Sequence, residues 1–386
     1  MYANRTDHLK VEGAYAVLAK AQSLEADGRE IIHFEIGQPD FDTFDNISLA
    51  GMRAIANGKT NYTPPAGTPA FRLAIAMDAS ARRGVDISLE QVVVSPGGKP
   101  NIFFPTMALV NPGDEVIYPN PGFPTYEAMI GVAGGKAVPV PLVEENNFSF
   151  DLDVFDKLIN EKTKMIIINS PSNPTGGVIP KADLEHIAAA AKKHDCWVLS
   201  DEIYARIVYD GMDDAPSIYA LPDMAERTII MDGFSKTYAM TGWRLGYGIM
   251  PEELAHRVGL LLTHSLGSTA EFTQYAGIEA ITGDQDQVDA VVAEYEKRRN
   301  VIVDGLNSLS GITCQKPQGA FYVFPNITEL GKSSDEVANW MLEEAGVALL
   351  PGTSFGAHGE GYLRLSYANS VENIEKAIEK MGKILK

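Results

Sequence analysis

A lysine, an aspartate and a tyrosine have the types and positions that amine and proton chemistry require. Lys236 stands in SKTYAMTGWR, shortly after the apolar run TIIM. If Lys236 lies at a buried strand end, the pKa of its amine is lowered and the amine can act as a nucleophile. If it lies at the surface, its pKa stays ordinary and the amine stays protonated. Asp201 and Tyr204 follow the run CWVL, where an aspartate is costly unless it meets a cation such as a protonated pyridine nitrogen. The alternative is a helix cap followed by a core tyrosine.

Further residues have the chemistry of anion binding. Gly97, Gly98 and Lys99 stand where a helix begins. Glycines at such a place allow backbone N–H groups to bind a phosphate, but the same residues also form an ordinary tight turn. Arg244 would add a guanidinium to that phosphate or form a surface ion pair. Arg364, in YLRLS, suits a carboxylate ligand or an internal salt bridge. Neither GxxxxGK[ST] nor GxGxxG is present, so the glycines do not support a nucleotide site.

These residues follow short apolar runs that alternate with helical patterns. The runs are rich in Val and Ile and too short for buried helices, which favours strands: QVVV, EVIY, KAVPV, KMIIIN, CWVL, TIIM and YGIM. Helical stretches between them, such as residues 181–194, predict a mostly parallel α/β sheet. Ligands bind beyond the carboxyl ends of the strands in such a sheet. We therefore expect the site at that edge.

The sequence after about residue 285 has a different pattern, with a charged helix, short strands around AFYVFP and YLRLSYA, and a final helix from Val371. This pattern predicts a smaller α+β domain. The first 40 residues, with a helix near Ala14 to Ala26 and the strand EIIHFEIG, lack a partner in the large sheet. We predict a large domain over 41–284 and a small domain formed by 1–40 and 285–386.

Composition excludes several classes of protein. With 51 acidic against 32 basic residues and a formal charge of −19, the chain would be repelled by nucleic acids and anionic membranes. Cys196 and Cys314 lie outside any metal-ligand spacing, which predicts a reducing compartment and no structural metal. The sequence lacks an export signal and any apolar run long enough to span a membrane. We therefore expect a cytoplasmic protein.

Five motifs in order, NYTPPAG, SNPTGG, SDEIY, GFSKTYAMTGWRLG and RLSYA, resemble the class I and II aminotransferases of pyridoxal-phosphate (PLP) fold type I. The similarity is closest to the bacterial aspartate aminotransferase-like subgroup. It implies an α/β fold with a mostly parallel seven-stranded sheet and a small α+β domain. It also implies a PLP-dependent transaminase that moves the amino group of an L-amino acid to a 2-oxo acid by a ping-pong mechanism. Acidic amino acids are the first expectation, and broad or aromatic ones the second.

The resemblance implies a role for each matching residue. Lys236 would hold the cofactor as a Schiff base and move the proton between the substrate Cα and the cofactor C4′. Asp201 would keep the pyridine nitrogen protonated, and Tyr204 and Asn173 would contact the phenolic oxygen. The others would stack on the ring (Phe123), bind the phosphate (Gly98, Lys99, Ser235, Arg244 and, from a neighbouring subunit, Tyr62) or hold the substrate carboxylate (Gly37, Asn173, Arg364). Because Tyr62 would act across an interface, the resemblance implies a homodimer with shared active sites.

The chain departs from the family pattern at two places. Gly233 stands where many relatives have a serine, so Ser235 would supply the phosphate hydroxyl. Lys99 matches a lysine that faces the distal substrate carboxylate in some bacterial aspartate aminotransferases. The threonine that accompanies that lysine is Ala14 here, so only half of the acidic-substrate pair is present.

Other functions stay open at this point. The same residues would serve a β-lyase, a racemase or a cyclase, because the cofactor supplies the electron sink and the protein selects the bond that breaks. A non-enzymatic PLP-binding regulator would carry a basic DNA-binding module, which this acidic sequence lacks. A Rossmann dehydrogenase would need a glycine fingerprint after its first strand, and that fingerprint is absent.

Overall fold

A computed structural model describes residues 3–6, 9 and 11–385; the other residues of the predicted 1–40 segment, and the last residue of 285–386, lie outside it. The strands in chain order are β1 (Ile32–His33), β2 (Val92–Ser95), β3 (Glu115–Asn120), β4 (Lys136–Val143), β5 (Ser149–Phe150), β6 (Thr163–Asn169), β7 (Trp197–Asp201), β8 (Thr228–Gly233), β9 (Gly246–Ile249), β10 (Tyr322–Val323), β11 (Val347–Ala348), β12 (Leu350–Pro351) and β13 (Leu363–Ser366).

The helices surround these strands. They are α1 (Gly13–Ala26), α2 (Asp45–Ala56), α3 (Pro69–Arg83), α4 (Pro100–Leu109), α5 (Thr125–Ala133), α6 (Leu152–Leu158), α7 (Lys181–Lys193), α8 (Glu252–Thr263), α9 (Glu271–Thr282), α10 (Asp286–Asn307), α11 (Ser334–Trp340) and α12 (Val371–Ile384). Each is too short or too polar to span a lipid bilayer, within the part of the chain that the structure describes.

The large sheet has the strand order β2-β9-β8-β7-β6-β3-β4-β5. Neighbours pair in parallel except around β9 and at β5, which run antiparallel to the strands beside them. The predicted mostly parallel α/β sheet is therefore confirmed, and all seven predicted strands belong to it. The eighth strand, β5, was not predicted because two residues are too few to show a strand period.

Both faces of this sheet are covered, as a parallel sheet requires. Successive side chains of β6 point to opposite faces. Met165 and Ile167 join the apolar cluster beneath α4, α5 and α8, whereas Ile166 and Ile168 join the one beneath α6 and α7. The helices that connect the strands therefore leave the carboxyl ends of β2, β3, β6, β7 and β8 at one edge.

The segments at the two ends of the chain are in contact with each other. Strand β1 pairs in parallel with β11, and β13 lies between β10 and β12 in a small antiparallel sheet. The predicted strand EIIHFEIG is thus shorter than expected, since the observed strand spans only Ile32–His33. The pairing supports the domain division into 41–284 and 1–40 with 285–386, which stays a prediction.

Candidate active site

A cavity of about 620 Å³ opens at the carboxyl edge of the large sheet. Its walls come from the loops after β1, β2, β3, β6, β7 and β8, from α1 and from β13. The structure brings together in it all the predicted site residues except Tyr62: Gly37, Gly98, Lys99, Phe123, Asn173, Asp201, Tyr204, Ser235, Lys236, Arg244 and Arg364.

Lys236 lies at the floor of the cavity, in the loop that follows β8. Its Nζ donates a hydrogen bond to the carbonyl oxygen of Gly37 at 2.7 Å. Burial, reinforced by the positive charges of Arg364 and Arg244, lowers the pKa of Lys236 to about 8. A substantial share of this amine is therefore neutral near physiological pH, which a nucleophile or a base requires.

Asp201 is the last residue of β7 and is only 3% exposed. Its Oδ2 accepts a hydrogen bond from the Tyr126 hydroxyl at 2.6 Å, and its Oδ1 accepts one from the backbone N–H of Ile203 at 3.2 Å. Burial, with a smaller contribution from the neighbouring charges of Asp232 and Glu202, raises the pKa of Asp201 to about 7. Burying a carboxylate without a cation is energetically unfavourable, so Asp201 suits a ligand that carries a positive charge.

Tyr204 and Asn173 face the cavity beside Asp201. The Tyr204 hydroxyl lies 2.7 Å from that of Tyr322. Burial raises the pKa of Tyr204 well above its ordinary value, so the hydroxyl keeps its proton and remains a donor. The Asn173 amide oxygen is buried without a partner. This corner therefore offers two polar groups to a ligand atom.

The loop between β2 and α4 lines the cavity together with Arg244. Gly97 has a φ of 90°, and a Cβ built there would lie 2.3 Å from the Arg244 Nη2 atom, so the loop and the guanidinium are in close contact. Among the described residues, the backbone N–H groups of Gly98 and Lys99 donate to no protein atom. Both groups precede the N-terminus of α4, where the helix dipole favours a negative charge. Ser235 also lines the cavity.

Arg364 enters the cavity from the middle of β13 and is 3% exposed. One of its Nη atoms donates to the carbonyl oxygen of Glu35, and its guanidinium lies 4.7 Å from the centre of the Tyr322 ring. It forms no ion pair among the residues that the structure describes, and its Nε has no partner. A buried guanidinium without an ion-pair partner suits a carboxylate ligand. This agrees with the carboxylate-ligand interpretation of the sequence and not with the internal salt bridge.

Lys99 lines the cavity from the loop between β2 and α4. Its ammonium group contacts the carboxylate of Glu12, which immediately precedes α1, and lies 5.2 Å from the centre of the Phe123 ring. Both partners of this ion pair are partly exposed, with 52% of the Lys99 side chain and 33% of the Glu12 side chain accessible. The ring of Phe123 packs edge-on against Tyr126, so it forms a fixed aromatic wall.

Tyr62 is the predicted site residue that lies elsewhere. Its side chain is fully exposed on the loop before α3, outside the cavity. Sequence reasoning in turn missed several residues that line the cavity, among them Glu12, Tyr126 and Tyr322. Tyr126 stands in PNPGFPTY, the motif after β3, and this position could have indicated it. The other two carry no local signal.

Comparisons with known proteins agree with one another. A family model described as aminotransferase class I and II matches residues 29–381. An aspartate aminotransferase of Pyrococcus horikoshii is 41% identical over 358 residues, which are 92% of this chain and 91% of the relative. Aromatic-amino-acid aminotransferase 2 of Thermococcus litoralis is 41% identical over 369 residues, 95% of this chain and 93% of the relative. The structure of aspartate aminotransferase from Thermus thermophilus with maleate matches with a TM-score of 0.95 and 36% identity, covering 100% of both chains.

Proposed function

Since the chain belongs to the class I and II aminotransferases, we propose that Lys236 binds PLP in this cavity, where an L-amino acid and a 2-oxo acid exchange an amino group. The family makes the chain a PLP-dependent aminotransferase with the corresponding fold. The residue roles, the ping-pong order and the substrates are our proposal. One observation carries it: a buried lysine with a lowered pKa shares a cavity with a buried carboxyl group.

The cavity has a fitting group for each part of the cofactor. The buried Asp201 carboxyl fits the protonated ring nitrogen, and the protonated Tyr204 hydroxyl fits the phenolic oxygen. The Asn173 amide can turn to present its NH₂ group to that oxygen as well. The free N–H groups of Gly98 and Lys99 fit the phosphate. Arg244 and Ser235 complete the proposed phosphate site, and Phe123 would cover the ring face.

The proposed chemistry divides between the cofactor and the chain. When bound, PLP supplies an electron sink for negative charge at the substrate Cα. Lys236 would hold the cofactor covalently through its Nζ, and when that nitrogen is free its amine would move a proton between the substrate Cα and the cofactor C4′. Asp201 holds the proton on the ring nitrogen, because the paired charges are stable in a buried site where either charge alone is not.

The α-carboxylate of the substrate is proposed to bind Arg364. The guanidinium is buried, contacts the Tyr322 ring face and can offer a two-pronged hydrogen bond. Only a glycine fits at position 37, since a Cβ there would lie 2.2 Å from the Tyr322 hydroxyl oxygen. The Gly37 carbonyl also holds Lys236 at 2.7 Å. Substrate carboxylate and reacting amine are thus proposed to meet within one small region.

The choice of amino acid is proposed to depend on Lys99. Acidic substrates remain the first expectation, because Lys99 is a cation at the cavity wall. The carboxylate of Glu12 forms an ion pair with Lys99, so the distal carboxylate of a substrate has to displace Glu12. The Phe123 face and the exposed Tyr15 also allow an aromatic or broad range. Relatives named for aspartate and for aromatic amino acids support both possibilities.

We also propose a homodimer with shared active sites. Tyr62 is fully exposed, and large apolar side chains are exposed nearby on α2, including Leu49, Met52 and Ile55. Exposed apolar side chains grouped in this way are typical of a protein interface. In a dimer Tyr62 would reach the phosphate site of the partner subunit. The two-domain division and a cytoplasmic location belong to the same proposal.

The proposal is tested by mixing the purified holoenzyme with single amino acids in the absence of any oxo acid. We expect a few amino acids to convert the cofactor to its amine form, followed as loss of the visible absorbance band. A 2-oxo acid should then restore the band without release of ammonia. If a broad panel of amino acids leaves the band unchanged, or if ammonia is released instead, the proposed exchange is wrong.

A further inference from the structure

Glu35 is a buried carboxylate for which the proposed chemistry has no use. It lies in the segment after β1 and is 0% exposed. Its Oε1 lies 2.8 Å from the Nδ1 atom of His33, and its Oε2 is buried without a partner. A carboxylate in such a place is costly unless a cation balances it. His33 is the side chain placed to do so.

The geometry around His33 favours the cationic form of its ring. Nδ1 faces Glu35, and Nε2 lies 3.1 Å from the Oε1 atom of Glu25 on α1. A neutral imidazole carries only one N–H, so only the protonated ring can donate to both carboxylates. Partial burial opposes the charge, but the hydrogen bonds to Glu35 and Glu25 outweigh it and raise the pKa of His33 above its ordinary value.

The same segment is in contact with Arg364. The backbone carbonyl of Glu35 accepts a hydrogen bond from an Arg364 Nη atom, while the Arg364 Nε is buried without a partner. Burial lowers the pKa of Arg364, and Tyr322, Tyr204 and, to the smallest extent, the Glu35 carboxylate oppose this lowering. Glu35 therefore acts electrostatically on the guanidinium that is proposed to bind the substrate.

We propose that His33 and Glu35 are positioning residues that set how strongly Arg364 binds a carboxylate. While His33 is protonated, its charge balances Glu35, and the charge of Arg364 remains available to the ligand. When His33 loses its proton, the uncompensated Glu35 weakens the attraction between Arg364 and an incoming carboxylate. The inference rests on the proposed role of Arg364, and it predicts weaker carboxylate binding at alkaline pH.

Few other charges face the imidazole. Glu25 approaches it from α1. Asn369, from the loop before α12, donates to the backbone oxygen of the same residue and is uncharged. Lys376 and Lys380 of α12 both pair with Glu30 instead. A pH-dependent change of charge in this region is therefore attributed to the imidazole.

The test measures binding of maleate, a dicarboxylate without an amine, to the holoenzyme from mildly acidic to alkaline pH by the absorbance of the bound cofactor. The cofactor linkage itself titrates in every variant, so the pH slopes are compared with that of the wild type. We expect wild-type affinity to fall by about fivefold or more as His33 deprotonates. Glu35→Gln should bind tightly and show only the fall due to the cofactor linkage. His33→Gln should bind maleate more weakly than the wild type at acidic pH and should likewise lack the additional fall.

The variants separate this inference from the proposed function. If Glu35→Gln keeps the full wild-type slope, or if His33→Gln binds as the acidic wild type does, the inference is overturned. If Glu35→Gln fails to fold, His33→Gln decides alone, because its side chain is 34% exposed and its replacement disturbs no core. If Arg364→Lys binds maleate as tightly as the wild type, the carboxylate site itself is wrongly assigned, and the inference falls with it.

Discussion

At one end of the cavity, Asp201 and Lys236 are held where two neighbouring strands of the large sheet end; at the other end, Glu12, Lys99 and Arg364 come from segments far apart in the sequence. Asp201 at this first end, the cofactor end, is 3% exposed, whereas Lys99 at the second, the substrate end, is 52% exposed. The cofactor end has a fixed arrangement before any ligand binds. The substrate end includes an ion pair that a ligand can displace. We therefore expect reaction type and substrate choice to be set by different parts of the fold.

Replacing Lys236 should have the largest effect at the cofactor end. Lys236→Ala removes both the covalent link and the proton carrier, so we expect the rate of amino-group transfer to fall by about 10⁴-fold. Single-turnover absorbance measurements give this rate, and borohydride trapping followed by peptide mapping locates the link. Lys181→Ala, at an exposed lysine on α7, should be unaffected. If Lys236→Ala transfers amino groups at the wild-type rate, Lys236 is not the reactive group of the cofactor end, and the contrast between the two ends no longer holds.

Asp201→Asn keeps the shape of the side chain and its contact with Tyr126 but loses the charge. Without that charge the ring nitrogen is no longer held protonated, so we expect kcat to fall by about 10²- to 10³-fold. Steady-state kinetics at saturating cofactor give kcat separately from cofactor affinity. The matched control is Asp223→Asn, at a surface carboxylate paired with Lys192. An unchanged kcat in Asp201→Asn would contradict the role of the charge.

Arg364→Lys tests the part of the substrate end that every substrate should use. A lysine keeps the charge but loses the two-pronged hydrogen bond in a buried site, so KM should rise by about thirtyfold for amino acids and oxo acids alike. The measurement is KM across several donors and acceptors. Arg257→Lys, at an exposed arginine of α8, is the control. A rise confined to acidic substrates would instead place Arg364 at the distal carboxylate.

Glu12→Gln should have the smallest and most selective effect. A partly exposed ion pair contributes only about 0.2–1 kcal/mol, so freeing Lys99 should lower KM for aspartate and glutamate by about two- to fivefold. KM for phenylalanine should not change, which makes it the internal control. If both classes of substrate change equally, Glu12 has a general structural role and the substrate end is not separable from the rest of the site.

The same contrast explains what the sequence could predict. Lys236, Asp201 and Asn173 each lie at the end of an apolar strand or a few residues after it, so a local pattern places them at one edge of the sheet. Glu12 meets Lys99 across 87 positions of the chain, and Tyr204 meets Tyr322 across 118 positions. Contacts of this kind depend on how the two ends of the chain fold back over the sheet, and no spacing rule reports them.

The fold shows the same limit at a smaller scale. Helix α3 begins where the local sequence favours a helix start, because Thr68 is suited to cap a helix and Pro69 to its first turn. The helix spans Pro69–Arg83, and Thr68 accepts a hydrogen bond from the backbone of Phe71. The strand EIIHFEIG was predicted too long. Beyond Phe34 the segment leaves the sheet, and the carbonyl groups of Glu35 and Gly37 contact Arg364 and Lys236 instead, which is a tertiary effect.

The lowered pKa of Lys236 also has a consequence for the protein before it acquires its cofactor. An amine with a pKa of about 8 inside an open cavity reacts with aldehydes and other electrophiles at neutral pH. In the cofactor-free protein, reactive carbonyl metabolites would therefore compete for this nitrogen with the PLP that is proposed to bind it. Bound cofactor then acts as a protecting group, and the chemical lifetime of the newly made chain depends on how quickly it is loaded.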